Sequence, residues 1–229
     1  METLIRLWKQ SLFLWPSVLF FTFFLSILFF HSNKRYSNIP LSIKIYVLSF
    51  CICIIILDAT VLITNRFNGS VKNIYSFVDF FLSILEFVLL AYYFYNLNKN
   101  IRQKKALIYL TVVFLLAAIS LSFQLPSQHA VVRLYTIQGI LLLLPTFFYF
   151  RTLFKTKSVI NISNEPTFWI STGIAFFLLC TIILSIIETF FLNHRPDILV
   201  KVYPTYYVFY IIMFCMFLKG YLCKTVISR

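Results

Sequence analysis

Seven carboxylates occur in this 229-residue chain: Glu2, Asp58, Asp79, Glu86, Glu165, Glu188 and Asp197. Four of them, Asp58, Asp79, Glu86 and Glu188, fall inside long apolar runs. A charged residue at the centre of a membrane helix costs about 2.5–3.5 kcal/mol on insertion scales, so such residues face a bundle interior and default to a functional role. The chemistry they offer is proton relay or recognition of a polar ligand. Each belongs to a stripe at helical spacing. Asp79, Ser83 and Glu86 stand at i, i+4 and i+7, and Thr181, Ser185 and Glu188 repeat that pattern further on. Lys44, Cys51, Asp58 and Asn65 recur every seven residues. Such stripes share one helix face and should point away from lipid.

Depth follows from helix rise. At about 1.5 Å per residue, Asp58, Asp79 and Glu188 lie roughly 9, 10 and 5 Å below one end of their spans, and Glu86 about 21 Å. Counter-groups near that end are Arg133, Gln138, Lys201, Tyr203, Tyr206 and Tyr207. The expected site is a polar pocket opening outward and lined by aromatic side chains. Its ligand-binding residues would be Asp58, Asp79, Glu86, Arg133, Gln138, Glu188 and Tyr206, on the second, third, fifth, sixth and seventh helices. The plainer reading of Asp58 and Glu188 is that they hydrogen-bond neighbouring helices near the ends of their spans.

Other chemistries find no constellation. His31, His129 and His194 sit at span ends or in loops, and His31 belongs to the opposite face from the other two, so no metal site is expected. No HExxH, GxSxG or Gly-rich phosphate loop occurs. Lys201 and Lys219 fall at the two ends of the last span, not at its centre as a retinal Schiff base requires. Cys51, Cys53, Cys180, Cys215 and Cys223 lie in or beside spans and imply no disulfide framework. The chain is expected to be neither an enzyme nor a cofactor carrier.

The elements that must position these acids are membrane helices. Hydrophobic residues make up 61% of the sequence and charged ones 12%, against about 45–50% and 25% in soluble domains. Spans are expected at about 11–31, 41–64, 72–95, 105–124, 131–151, 167–191 and 200–219, each near the roughly 20 residues that a bilayer core requires. Their apolar residues are continuous, as in CICIIIL, where barrel strands would alternate. Connections such as NRFNGS and LPSQHA are too short for a second domain, so residues 1–229 read as one all-α, seven-helix transmembrane bundle. The first run is longer than a signal-peptide core and lacks a small-residue cleavage site, so it reads as a retained helix.

Basic residues orient the bundle. Of 20 Lys and Arg, thirteen fall on the side of the first, third and fifth loops and the C-terminus. The positive-inside rule makes that side cytoplasmic, with the N-terminus out and the C-terminus in. The net charge of +13 is then a topology signal, met by the bilayer and anionic headgroups, with no nucleic-acid partner implied. Pro16 and Pro145 inside spans mark candidate kinks.

Two strings carry a family likeness: Asn73-Ile-Tyr-Ser-Phe-Val-Asp79-Phe, and Pro166-Thr-Phe-Trp-Ile-Ser-Thr-Gly173 opening the sixth span. They resemble motifs of short seven-helix integral membrane proteins of the Bacteroidota, similar in turn to membrane sensor regions of bacterial histidine kinases. Asp58 and Asp79 depart from that pattern, which has Glu. The resemblance implies a stand-alone sensory or signalling module of the inner membrane, acting through a cytoplasmic or membrane partner because no kinase follows. The Pro-Phe-Trp-Gly string also has a physical reading: Pro166 starts a helix, Phe168 and Trp169 anchor an interface, and Gly173 admits a neighbouring helix. The alternatives are a small-solute or proton-coupled transporter, resting on the same acids and on a weak similarity between CICIIILDAT and CTIILSIIET, and a structural subunit of a membrane complex.

Overall fold

The computed structural model describes residues 18, 21–29, 40–66, 71–98, 100–125, 127–155, 162–194 and 196–223, with side chains outside description at 56–66, 71–75, 163, 193 and 196–204. All regular structure among them is helical: α1 (21–29), α2 (Leu41–Arg66), α3 (Val71–Leu97), α4 (Ile101–Ser122), α5 (Gln128–Lys155), α6 (Pro166–His194) and α7 (Pro196–Leu222), with a 3-10 turn at Ile162–Asn164. Five helices, within α3 to α7, are long and apolar enough to cross a membrane. The described part of α2 with side chains, Leu41–Ile55, is apolar but shorter. The chain is an integral membrane protein of several apolar helices.

Helix ends explain where the structure departs from the expected spans. The α3–α4 connection is only three residues, because Asn100 caps α4 with its side-chain oxygen accepting from the Arg102 N–H at 2.9 Å. Arg102, Lys104 and Lys105 therefore stand within the first two turns of α4, not in a loop. Lys104 Nζ lies 4.8 Å from the centre of the Tyr95 ring on the preceding helix. Periodicity marks the apolar part of such a helix, and its polar turns continue beyond. Pro166 and Pro196 open α6 and α7, where a missing N–H costs no helical hydrogen bond. Pro145 lies inside α5 and is buried.

Five helices close into a ring. α2 packs on α3, α3 on α5, α5 on α6 and α6 on α7. Aromatic contacts complete the circuit: Phe50 on α2 meets Tyr210 at 4.5 Å and Phe214 at 5.4 Å on α7. α4 lies outside, against α3 and α5, fixed by the stacked rings of Phe87 and Phe114 at 3.9 Å. α1 reaches α7 through Phe29 and Tyr221 at 5.6 Å. Lipid tails are as apolar as leucine, so close packing and interhelical hydrogen bonds hold such a ring together. Small residues serve the packing. A methyl group on Gly173 would stand 3.0 Å from Met216 Cβ, and one on Gly220 would stand 2.9 Å from the Pro166 carbonyl oxygen. The α6–α7 seam is thus a backbone-close contact, and Gly173 plays the part its motif suggested.

Candidate functional site

The ring interior holds the acids. Asp79, Ser83 and Glu86 share one face of α3; Ser83 and Glu86 are buried, and Asp79 is half-buried. Glu86 is 1% exposed and Glu188 on α6 is 4% exposed. No Lys or Arg is buried among the described residues. These carboxylates are instead met by hydroxyl and amide groups.

Two polar layers result. The deeper one joins α2, α3 and α5. The Tyr46 hydroxyl donates to Glu86 Oε1 at 2.7 Å. Ser83 donates to Gln138 Oε1, and the Gln138 side chain also faces Glu86. Glu86 Oε2 is buried without a hydrogen-bond partner among the described residues. An oxygen left so in an apolar interior forgoes the compensation that hydrogen bonding gives a buried polar group. The outer layer joins α6 and α7, where the Tyr206 hydroxyl donates to Glu188 Oε2 at 3.0 Å. One turn away, Thr136 on α5 donates to Ser185 Oγ on α6 at 2.9 Å. Asp79 lies within electrostatic range of Glu188.

Tyr135 connects the layers. Its hydroxyl reaches the Asp79 carbonyl oxygen at 3.5 Å, and Asp79, Glu86, Glu188 and Tyr206 all act on it electrostatically. Tyr210 on α7 closes the column from the other side, within range of Glu86, Tyr135, Tyr46 and Asp79. The space between is packed with aromatic rings, including Phe177 against Tyr210 at 4.4 Å.

Of the residues singled out from sequence, Asp79, Glu86, Gln138, Glu188 and Tyr206 are gathered in this column. Arg133 is apart: it is exposed on α5, and its guanidinium donates to Gln124 at 3.4 Å. The side chain of Asp58 lies outside the described residues, as do those of Lys201 and Tyr203. Tyr46, Tyr135 and Tyr210 were not among the expected site residues. Their signal is a tyrosine within an apolar run: a buried phenol needs a partner for its hydroxyl. Tyrosine is also common as an anchor near the ends of membrane helices, which weakens that signal at Tyr46, close to the start of α2.

A second cluster lies at the opposite end. The Tyr93 hydroxyl is 3.0 Å from Ser171 Oγ and donates to the Thr167 carbonyl at 3.3 Å. Tyr149 donates to Thr167 Oγ1 at 3.2 Å. These bonds tie α3 and α5 to the first turns of α6, the helix opened by the Pro-Phe-Trp-Gly string. Among the described residues no group of three or more His, Cys, Asp or Glu side chains is placed to hold a metal ion.

No family model, curated protein or solved structure matches this chain.

Proposed function

We propose that the chain is a seven-helix sensory or signalling module of the inner membrane, with its N-terminus outside and its C-terminus in the cytoplasm. The observation that carries this reading is the carboxylate–tyrosine column formed by α2, α3, α5, α6 and α7. A purely structural bundle gains nothing from carboxylates in its interior that apolar packing would not give. Hydrogen-bonded side chains shared by five helices couple any change in one carboxylate to the positions of its neighbours. Protonation or a polar ligand reaching the Asp79–Glu188 layer would break and remake the Tyr206 and Tyr135 contacts. Helix displacement would then pass to a signalling partner at the cytoplasmic end. The likeness to Bacteroidota membrane proteins and kinase sensor regions supports the same reading.

The test is genetic. Transcript profiles of a deletion strain are compared with wild type across shifts of pH, osmolarity and envelope stress. The response lost on deletion should return with the wild-type gene and fail to return with the D79N/E86Q/E188Q variant, at equal membrane abundance. Full restoration by the triple variant overturns the proposal.

A small-solute or proton-coupled transporter is the second reading. It is favoured by the two depths at which Asp79 and Glu86 lie on one helix, about two turns apart. It requires proton or solute flux in proteoliposomes that is lost in E86Q; the absence of flux across a broad solute panel removes it.

A further inference from the structure

The outer flank of the bundle carries a groove that the acids do not use. It lies where the end of α4, the start of α5 and the end of α6 converge, and has a volume of about 510 Å³. That is within the roughly 300–1,000 Å³ typical of small-molecule sites. Leu121, Ile137, Ile186 and Phe190 form its walls, and Arg133 and His194 belong to the same lining, which contains no acid. Ile186 is 60% and Phe190 58% exposed, so the groove opens sideways to the bilayer.

Arg133 is weakly committed. Its hydrogen bond among the described residues, to Gln124 at 3.4 Å, is long against the usual 2.9–3.0 Å for N–H···O contacts. His194 is held rigidly by its ring stacked on Phe190 at 4.6 Å and by Nδ1 at 3.0 Å from the Phe190 carbonyl oxygen. Its Nε2 has no partner among the described residues. The groove thus combines apolar walls with a guanidinium that no acid of the lining neutralises and an imidazole held in place. The hydroxyls of Thr136 and Thr189, also in the lining, are spent on α5 and α6 themselves.

We infer that this groove binds an anionic phospholipid, its headgroup phosphate at Arg133 and His194 and an acyl chain between α4, α5 and α6. A guanidinium fork matches phosphate geometry, and basic pockets between membrane helices hold lipid headgroups. A soluble anion gains nothing from Ile137, Ile186 and Phe190. A zwitterionic lipid brings a cation of its own next to Arg133, so the net charge at the site stays positive, whereas an anionic lipid neutralises it.

Native mass spectrometry of the full chain in mild detergent tests the assignment, with phosphatidylglycerol and phosphatidylcholine of identical acyl chains as probes. Phosphatidylglycerol should bind roughly tenfold more tightly, because phosphatidylcholine offers the same phosphate but places its choline cation beside Arg133, where like charges repel. R133Q should abolish that preference and R133K retain part of it. I186W, which fills the groove and leaves Arg133 in place, should reduce binding of both lipids. K104Q/K105Q, at the other end of α4, should change nothing. Equal binding of the two lipids by wild type, or an unchanged preference in R133Q, overturns the proposal. So does a dimer that excludes lipid, which would make the groove a contact between copies.

Discussion

Tyr46 on α2 and Glu86 on α3 share a buried hydrogen bond of 2.7 Å, the phenol donating to Oε1. Both side chains are about 1% exposed, and the second carboxylate oxygen has no partner among the described residues. In this position the phenol is the main compensation that Glu86 receives, and the carboxylate gives the phenol its acceptor. Removing one should therefore expose the cost of the other.

A double-mutant cycle measures that dependence. Y46F should destabilise the bundle by about 1–3 kcal/mol, because it leaves a buried acceptor unsatisfied. The Y46F/E86L double variant should be more stable than the sum of the single effects. The coupling expected is about 1 kcal/mol, within the range of interhelical hydrogen bonds in membrane proteins. Reversible unfolding in mixed micelles gives the four stabilities, and additivity would show that the bond contributes nothing net.

Ser42 offers the opposite case. Its hydroxyl is buried at the start of α2 without a partner among the described residues. S42A removes a desolvated polar group and leaves a cavity of one oxygen atom, so its thermal midpoint in detergent should equal or exceed that of wild type. A clear fall would mean that the hydroxyl is satisfied in the membrane, by water or lipid.

The α6–α7 seam should resist enlargement. At Gly220 an added methyl meets the Pro166 carbonyl oxygen at 2.9 Å and Ile170 Cγ1 at 3.2 Å. Backbone cannot rotate away as a side chain can, so the helices must part. G220A should cost about 1–3 kcal/mol, as overpacked cores do. L222A, at a site 60% exposed, should cost far less in the same assay. Equal effects would remove the close approach as the cause.

Orientation is checked with reporters fused after Arg229 and inserted between Asn96 and Lys105. Both should report cytoplasm. A periplasmic signal from both would turn the Asp79–Glu188 layer toward the cell interior and make an intracellular ligand the target. Disagreement between them would break the seven-span count.

The helices were legible because membrane spans write themselves as continuous apolar runs, and α2, α3 and α6 lie within a few residues of the runs that announce them. Their ends were less legible. Ile101 starts α4 four residues before its expected span because Asn100 satisfies the first turn, and a cap of this kind leaves the apolar run unchanged. The acids were legible for the same reason as the spans, since a carboxylate among Phe and Leu is conspicuous. Their partners were not. Which tyrosine faces Glu86 depends on how α2 and α3 are rotated against each other, and nothing in either helix alone sets that rotation. Arg133 shows the same limit. Its position in sequence matches the outer acids, but its helix face places it beside α4 and lipid.

Only one residue separates α6 from α7, the shortest connection between the described helices. α6 is also the most apolar of the five long spans and α7 among the least. The two therefore need not enter the membrane on equal terms. During synthesis α6 can partition into lipid unaided, whereas α7 is better served by a partner already there. Gly173 on α6 and Gly220 on α7 together give the close contact along which α7 can settle against α6 as it leaves the insertion machinery. The seam that tightens the finished bundle would thus also be the means by which its final helix is brought into the bilayer.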